Sequence, residues 1–287
     1  MAQIIDGKKI AAKVRGEIAA ECVELAKQGV QPGLAVIIVG DDPASKVYVR
    51  NKKKACEEVG FHSEVYELPE ATTEDELLAL VKRLNNDDKI HGILVQLPLP
   101  RHLNDDIIIA NIDPKKDVDA FHPVNVGKIM IGDYDFLPCT PAGVMVMLKE
   151  CGIDPAGKEC VVVGRSNIVG KPQAMLLLHA NGTVTVCHSK TKNLADVTRR
   201  ADILVVAIGK ADFITGDMVK DGAVVVDVGM NRRPDGKLTG DVDFASVEPK
   251  ASFITPVPGG VGPMTITMLL QNTLTSAKRV AGTPPRA

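Results

Sequence analysis

The stretch Val161–Pro172, VVVGRSNIVGKP, decides the fold of this 287-residue chain. Its valines predict a buried strand, Gly164 a tight turn at the strand end, and Gly170 a helix that packs closely on the strand. This order presents backbone N–H groups to a phosphate, with the hydroxyl of Ser166 beside them. Because the spacing G-x-S-x-x-x-G differs from G-x-G-x-x-G, an ordinary turn between strand and helix stays an alternative.

Apolar runs alternate with helical patterns on both sides of this stretch, which predicts βα units and parallel sheets. The fold class is therefore α/β, and the length suits two domains. We predict an N-terminal α/β domain for a substrate at 1–140 and a C-terminal Rossmann-like domain that binds NAD(P) at 141–263. A last helix at about 264–280 would pack back on the first domain, and the tail at 281–287 would be disordered.

The periodicity predicts the following elements. Helices are expected at 10–27, 44–59, 73–84 and 142–150, with Thr72 or Thr73 as the cap of the third. Strands are expected at 34–39, 64–68, 93–97, 160–163, 183–187, 203–207, 223–228 and 252–254. The region from Pro114 to Pro141 is expected to be rich in loops.

Composition excludes several classes of protein. Aromatic residues make up 3% of the chain, Trp is absent and the net charge is −2. These values disfavour a surface that stacks single-stranded bases, and a general binder of nucleic acid or anionic membranes. No apolar run approaches the roughly 20 residues of a membrane span. The N-terminus lacks a secretory apolar core, so we expect a cytoplasmic protein.

The six cysteines and six histidines form no pattern typical of a metal site. No two cysteines have CxxC spacing, and the histidines form no HExxH motif. We therefore predict no metal site and six free thiols in a reducing compartment.

The residues after the second strand of the nucleotide domain indicate which dinucleotide binds. An NAD site usually ends this strand with an acid that binds the ribose hydroxyls. Here Thr183–Cys187 is followed by the polar and basic run His188–Lys190, which includes Ser189. Together with Arg165 in the glycine turn, this run suits a 2′-phosphate. The predicted cofactor is therefore NADP rather than NAD.

In the first domain, Tyr48 and Lys52 lie four residues apart on a predicted helix and share one face. That helix begins beside a strand end, where α/β proteins bind ligands, but the run of lysines fits a solvated basic face equally well. Gln96 lies near the end of another strand. Its amide could hydrogen-bond a buried lysine and stabilise one charge state.

Two further segments could contribute to the same site. The motif DVDAFHP contains Asp117 and Asp119, which either form a turn or provide a buried acid that binds paired N–H donors of a ring. The segment Thr255–Thr265, TPVPGGVGPMT, contains three prolines and three glycines. Such a turn permits close approach of the backbone to a ligand, and it can contain a cis X-Pro bond.

Together, the motifs YVRNK, VQLPLP, DVDAFHP, VVVGRSNIVGKP, DVGMNR and TPVPGGVGPMT resemble the methylenetetrahydrofolate dehydrogenase/methenyltetrahydrofolate cyclohydrolase family, from about Ile5 to Lys278. The resemblance implies a bifunctional enzyme of one-carbon metabolism whose substrate is a reduced folate. A hydride would pass from methylenetetrahydrofolate to NADP, and the methenyl product would be hydrolysed to formyltetrahydrofolate. The resemblance also implies a homodimer and an active site in the cleft between the domains.

The resemblance implies residue roles by position. Lys52 matches the catalytic lysine of the cyclohydrolase step, and Gln96 matches the partner that orients it. Tyr48 matches the aromatic residue that positions the folate, and Asp119 the acid that anchors the pterin. The positions matched to the dinucleotide are Gly164, Arg165, Ser166 and Ser189, and those matched to the ligand-contacting loop are Pro258, Gly259, Gly260 and Val261.

One position departs from the family pattern, and other classes of protein stay open. The family commonly has Gly after the pterin-binding Asp, whereas this chain has Ala120, which would be strained at positive φ. A shikimate-dehydrogenase-like NADP oxidoreductase would share the two-domain plan. A dehydrogenase without cyclohydrolase activity and a non-catalytic nucleotide-binding protein also fit parts of the pattern.

Overall fold

The computed structural model describes residues 1–282 and shows an α/β protein. Its strands are β1 (Gln3–Ile4), β2 (Gly33–Val39), β3 (His62–Leu68), β4 (Gly92–Val95), β5 (Glu159–Val163), β6 (Thr183–Cys187), β7 (Ile203–Val206), β8 (Val224–Asp227), β9 (Asn231–Arg232), β10 (Leu238–Thr239) and β11 (Phe253–Ile254). Its helices are α1 (Gly7–Ala26), α2 (Pro43–Val59), α3 (Glu74–Asn85), α4 (Asp105–Ala110), α5 (Pro123–Ile131), α6 (Cys139–Glu150), α7 (Gly170–His179), α8 (Leu194–Thr198), α9 (Phe244–Val247) and α10 (Val261–Val280).

The chain forms two compact units, and each combines separate stretches of sequence. The first unit comprises Lys13–Cys139 and the residues from Ile266 onward, and the second comprises Met1–Ala12 and Thr140–Thr265. The divisions therefore fall within α1, at the start of α6 and within α10. The predicted disordered tail is described only at residues 281–282, which form a turn, and its residues 283–287 lie outside the described part.

The first unit contains a parallel three-stranded sheet in the order β3-β2-β4. Every residue of the central strand β2 is buried. Of the two N-caps expected for α3, Thr72 or Thr73, the structure shows Thr73, which forms a capping box with Glu76. Its Oγ1 accepts the Glu76 N–H at 3.3 Å, and the Glu76 carboxylate accepts the Thr73 N–H at 2.8 Å. Leu77, Val81 and Leu84 then face the core at helical spacing.

Helix α2 begins just beyond the carboxyl end of β2. Asp42 accepts the Ser45 N–H at 2.7 Å and Pro43 occupies the first turn, so the helix start is satisfied locally. Gly60, at φ +82°, ends the helix in the left-handed conformation. These two signals place Tyr48 and Lys52 on successive turns at the ligand-binding edge of the sheet.

The region from 114 to 141, which was expected to be rich in loops, also contains α5, a helix that the sequence analysis missed. His122 Nδ1 accepts the Val124 N–H at 3.1 Å, Pro123 opens the first turn, and Gly132 ends the helix at φ +80°. These start and stop signals are present in the sequence. Gly127, near the middle of a nine-residue helix, weakens the helical pattern and explains the missed prediction.

The second unit contains a parallel six-stranded sheet in the order β1-β11-β8-β7-β5-β6, with β9 and β10 paired as a separate hairpin. Because β5 lies between β6 and β7, the direction of winding reverses at β5. The crevice outside the carboxyl ends of β5 and β7 is therefore the topological switch point, where such sheets bind ligands. β1 was not predicted. It has only two residues and pairs with β11, some 250 residues further along the chain.

All six cysteines are free thiols. Over residues 1–282, none of the helices combines the length and apolar character needed to cross a membrane.

Candidate active site

Lys52 and Gln96 form the central contact of the first unit. The Nζ atom of Lys52 donates a hydrogen bond to Gln96 Oε1 at 2.9 Å. The backbone N–H of Gln96 donates to Ile37 O, and its Nε2 donates to Leu97 O, each at 2.8 Å. Because the amide nitrogen already has a carbonyl partner, the amide oxygen is the atom that faces Lys52.

Burial and mutual charge govern the protonation of Lys52 and Asp119. Burial lowers the pKa of Lys52, and the negative charge of Asp119 opposes this shift. Burial raises the pKa of Asp119, and the positive charge of Lys52 opposes that shift. Both directions favour the uncharged form of each group. In its neutral form, the amine can accept a proton from water.

Cys139 lies against Asp119, a contact that the sequence analysis missed. Its Sγ is 3.5 Å from Asp119 Oδ1 and 3.5 Å from Val118 O. Burial, with the charge of Asp119, raises the pKa of Cys139 well above its usual range, so the sulfur keeps its proton and donates. Asn272 of α10 supports the same loop by donating to Val118 O at 2.7 Å and Leu137 O at 2.8 Å. No local signal marks Asn272, because its partners lie more than 130 residues away.

The two acids of DVDAFHP have different surroundings. Asp117 accepts hydrogen bonds from the His122 N–H and from Asn125 Nδ2, both at 2.8 Å, which fits the turn-forming interpretation. A backbone bridge between Ile93 and Asp117 holds the loop beside β4. Ala120, between these motif residues and α5, is fully buried and adopts φ +58°. Ala120 therefore has the positive φ at which a residue with a Cβ atom is strained.

Tyr48 lies one helical turn before Lys52, and 38% of its surface is exposed. Burial of the rest of the side chain raises the pKa of its hydroxyl. The ring can therefore offer an apolar face to a planar ligand while its hydroxyl stays protonated. The first unit thus assembles Lys52, Gln96 and Asp119, with Tyr48 on the adjacent turn of α2.

In the second unit, the glycine turn after β5 is closely packed. A Cβ atom at Gly164, which has φ +133°, would lie 2.2 Å from Ala207 O, and one at Gly170 would lie 2.3 Å from Gly164 O. Only glycine fits these two positions. Ser166 Oγ accepts the N–H groups of Val169 and Gly170, each at 3.2 Å. The serine therefore caps the start of α7, and the hydroxyl proton remains available for a further acceptor.

The loop after β6 has its own turn. His188 donates its backbone N–H to Thr191 Oγ1 at 2.9 Å, and its Nδ1 accepts the Lys190 N–H at 3.1 Å. Ser189 is exposed here, as is Arg165 in the glycine turn. No carboxylate follows β6 in the run 188–192. Close backbone approach at Gly164 and these exposed polar groups fit a phosphorylated dinucleotide.

The turn before α10 contains a cis bond between Val257 and Pro258, as the sequence allowed. Gly259 has φ +107°, and its carbonyl accepts the Lys8 N–H at 3.2 Å. A Cβ atom at Gly7 would lie 1.8 Å from Gly260 O. The start of α1 therefore buttresses the turn. Pro258, Gly259 and Gly260 precede Val261, the first residue of α10, and all four belong to the second unit.

Among residues 1–282, no group of three or more His, Cys, Asp or Glu side chains is placed to hold a metal ion. The prediction that the protein uses no metal stays a prediction.

Comparison with known proteins assigns the family. A model described as tetrahydrofolate dehydrogenase/cyclohydrolase, catalytic domain, matches residues 5–119, and the NAD(P)-binding domain of the same name matches residues 138–281. The chain belongs to the tetrahydrofolate dehydrogenase/cyclohydrolase family. It is a bifunctional enzyme of one-carbon metabolism, with dehydrogenase and cyclohydrolase domains, and the predicted two-domain α/β fold is confirmed.

Individual members of the family are similar over almost their whole length. The bifunctional protein FolD of Acetivibrio thermocellus is 63% identical over 277 residues, which cover 96% of this chain and 97% of that protein. The crystal structure of the FolD enzyme from Campylobacter jejuni has a TM-score of 0.96 at 54% identity, covering 98% and 100% of the two chains. The enzyme from Trypanosoma brucei, complexed with NADP cofactor and inhibitor, has a TM-score of 0.93 at 42% identity, covering 97% and 98%.

The alternative of a shikimate-dehydrogenase-like enzyme has no support. The structure of shikimate dehydrogenase from Aquifex aeolicus has a TM-score of 0.51 at 13% identity, which shows a shared fold alone.

Proposed function

We propose that the enzyme oxidises 5,10-methylenetetrahydrofolate with NADP to 5,10-methenyltetrahydrofolate and hydrolyses this product to 10-formyltetrahydrofolate. The observation that carries the proposal is the hydrogen bond from Lys52 to Gln96, in a setting that lowers the pKa of Lys52. A surface lysine would stay charged at neutral pH, whereas this one can work as a base. Asp119, whose charge interacts with that of Lys52, is the second ionisable group of the site.

In the hydrolysis, the neutral amine of Lys52 takes a proton from water as the water oxygen attacks the methenyl carbon. The bond between this carbon and N5 then breaks, and N5 receives a proton from the ammonium group of Lys52. The remaining hydroxyl proton leaves to solvent as the formyl C=O forms, so one proton is released overall. Gln96 keeps the amine in place throughout, because its oxygen can accept a hydrogen bond in either protonation state of Lys52.

In the oxidation, NADP supplies the hydride acceptor when bound. The protein orients the substrate for this step. Asp119 accepts N–H groups of the pterin ring, and the Tyr48 ring packs against the folate. Pro258, Gly259, Gly260 and Val261 contact the ligand through their backbone, which the absence of a Cβ at the two glycines permits.

NADP rather than NAD is the proposed cofactor. The exposed side chain of Arg165 would pair with the 2′-phosphate, with Ser189 and His188 as further partners. Gly164, Ser166 and Gly170 would hold the pyrophosphate. The absence of a carboxylate in the run 188–192 removes the repulsion that a 2′-phosphate would otherwise meet.

The proposal extends to domains, assembly and location. Tyr48, Lys52, Gln96 and Asp119 would belong to a folate-binding catalytic domain at 1–140, on which the helix at about 264–280 packs. The NADP-binding residues would belong to a domain at 141–263, which also contains the ligand-contacting loop 258–261. A homodimer is supported by β6, which ends the six-stranded sheet and exposes Val186. A cytoplasmic location is supported by six free thiols.

The first experiment is a two-wavelength assay with methylenetetrahydrofolate and NADP, and then with NAD. We expect reduced NADP to form with little transient build-up of methenyltetrahydrofolate, and preformed methenyltetrahydrofolate to be hydrolysed above the uncatalysed rate. Persistent methenyl product would instead show a dehydrogenase without cyclohydrolase activity. No reduction of either dinucleotide would refute the proposed oxidation.

A single substitution separates the two activities. Lys52→Met keeps the length of the side chain but has no basic nitrogen, so cyclohydrolase activity should fall at least about a hundredfold, in line with the loss of a general base. The dehydrogenase should lose much less, because orientation carries that step. The neighbouring exposed residue offers a matched control, Lys53→Met, which should leave both activities near the wild-type values. Equal loss of both activities in Lys52→Met would contradict the assigned role.

A further inference from the structure

The buried carboxylate of Asp241 accepts hydrogen bonds from two loops at the switch point of the second sheet. Its side chain is fully buried. Asp241 Oδ2 accepts the N–H groups of Ile208 at 2.6 Å and Gly209 at 3.0 Å, and Oδ1 accepts the Lys210 N–H at 2.8 Å. Three successive N–H groups of the turn after β7 therefore converge on one carboxylate, which fixes the conformation of that turn.

Asp241 also holds the loop after the neighbouring strand β8. Its Oδ1 accepts Asn231 Nδ2 at 2.9 Å. The backbone N–H of Asp241 itself donates to Asp227 Oδ1 at 2.9 Å, and Asp227 is the last residue of β8. The packing leaves no spare room, since a Cβ atom at Gly229 would lie 2.3 Å from the carboxylate carbon of Asp241. One side chain thus ties two loops at the carboxyl edge of the sheet.

The turn that Asp241 holds is next to the glycine turn. Ala207 donates its N–H to Val163 O at 2.8 Å, and the Ala207 carbonyl occupies the space where a Cβ at Gly164 would lie. The turns after β5 and β7 flank the switch point, where a dinucleotide binds in this class of sheet. Gly209 and Lys210 are exposed, so the turn is accessible to a ligand.

We propose that Asp241 is a positioning residue for the dinucleotide: it holds the 208–210 turn in the conformation that completes the NADP-binding surface beside Gly164. Asp241 does not touch the cofactor, because its carboxylate is buried and its oxygens are occupied by backbone and Asn231 donors. This inference rests on the proposed NADP-dependent function. The affinity for NADP then depends on Asp241, which lies far from the glycine turn in the sequence.

The test measures NADP binding to the full-length enzyme by isothermal titration calorimetry. Asp241→Asn keeps the size of the side chain but replaces an accepting oxygen with an NH₂ group that opposes the N–H donors. We expect the Kd for NADP to rise at least about tenfold, as the loss of hydrogen bonds to a charged acceptor implies. Hydrolysis of preformed methenyltetrahydrofolate, which needs no nucleotide, should stay within about twofold of wild type. Asp243→Asn is the matched control, because Asp243 makes no side-chain cap bond at the start of α9, and its Kd should be unchanged.

A second variant perturbs the turn without touching Asp241. Gly209 has φ +65°, and an added Cβ would meet nothing within 4 Å, so Gly209→Ala strains the backbone of the turn alone. We expect a rise in Kd of about threefold or more, and this variant decides the matter if Asp241→Asn does not fold. A Kd within twofold of wild type in the folded variants overturns the inference, as does equal loss of both activities at unchanged Kd. A wild-type enzyme that binds no NADP would instead refute the proposed function.

Discussion

The charge at position 96 offers a quantitative test of how Lys52 works. Gln96→Glu keeps the side-chain length and places a carboxylate where the amide oxygen now lies, 2.9 Å from Lys52 Nζ. The negative charge stabilises the ammonium form of Lys52, so its pKa rises. The neutral amine, which is the form that takes a proton from water, then becomes abundant only at higher pH.

The separation of 2.9 Å bounds the size of this shift. In a medium as polar as water (ε about 80), two unit charges at that distance interact by about 1.4 kcal/mol, which raises the pKa by about one unit. At the effective dielectric constant of about 20 that suits protein sites, the interaction is about 6 kcal/mol, or about four units. Lys52 is partly buried, so the shift should lie between these limits.

The assay is the pH dependence of hydrolysis of preformed methenyltetrahydrofolate, corrected for the uncatalysed rate at each pH. In Gln96→Glu, the acidic limb of the profile should move up by about one to four units, and the rate at pH 7 should fall at least about tenfold. The neutral control Gln96→Leu removes the hydrogen bond but adds no charge, so its rate should fall without an upward shift of the limb. An unchanged or lower midpoint in Gln96→Glu would refute the assignment of neutral Lys52 as the base.

Three other substitutions test separate parts of the structure. Arg165→Ala should weaken NADP binding by about ten- to hundredfold and NAD binding hardly at all, because only NADP carries the 2′-phosphate; equal effects in titrations with both dinucleotides would contradict the choice of NADP. Burial raises the pKa of Asp227 from 3.8 to about 6, so protonated Asp227 stabilises the folded protein at low pH, and up to about 3 kcal/mol of this stabilisation is lost as the pH rises from about 4 to above 6. In urea unfolding, the free energy of unfolding of wild type should therefore fall relative to that of Asp227→Asn as the pH rises through this range. Ala120→Gly removes a strain of about 1–2 kcal/mol from the left-handed conformation. It also loses a buried methyl group worth about 0.8 kcal/mol and stabilises the unfolded chain by about 0.4–1 kcal/mol of entropy, so the unfolding free energy should stay within about 1 kcal/mol of wild type. A marked rise in activity would show that strain at Ala120 limits turnover.

Features with local signals were predictable from the sequence. The capping box at Thr73 needs only the residue three positions later, and the glycine turn needs only its strand and helix neighbours. The cap lies at one of the two threonines that the sequence indicated, and the glycine turn lies where it was expected. The strands of the second sheet that were predicted differ from their expected ranges by one or two residues at most. The pattern is reliable there because buried parallel strands read as short apolar runs.

Features that depend on distant partners could not be predicted in this way. β1 is two residues long and forms only because β11 offers an edge to pair with. Cys139 is one of six scattered thiols in the sequence. Its contact with Asp119 forms because Asn272 of α10 hydrogen-bonds both Val118 and Cys139 and so holds the two ends of the segment 118–139 together. The side-chain amide of Asn272 binds two carbonyls and a thiol. Such contacts do not alter the hydrophobic periodicity of α10, so the sequence does not indicate them.

The roles of the buried aspartates depend on hydrogen bonds that cannot be read from the sequence. Asp117 accepts N–H donors from residues that closely follow its motif, and Asp241 accepts N–H donors from a turn about 30 residues earlier in the chain, so both carboxylates shape loops. Within residues 1–282, the hydrogen bond to the Asp119 side chain comes from the thiol of Cys139, a weak donor at 3.5 Å. Asp119 therefore keeps more accepting capacity for a ligand than Asp117, two residues earlier in the same motif, which accepts two N–H donors. Spacing makes the two acids equivalent, and only the number and strength of donors that the fold brings to each one separates a loop-forming residue from a binding residue.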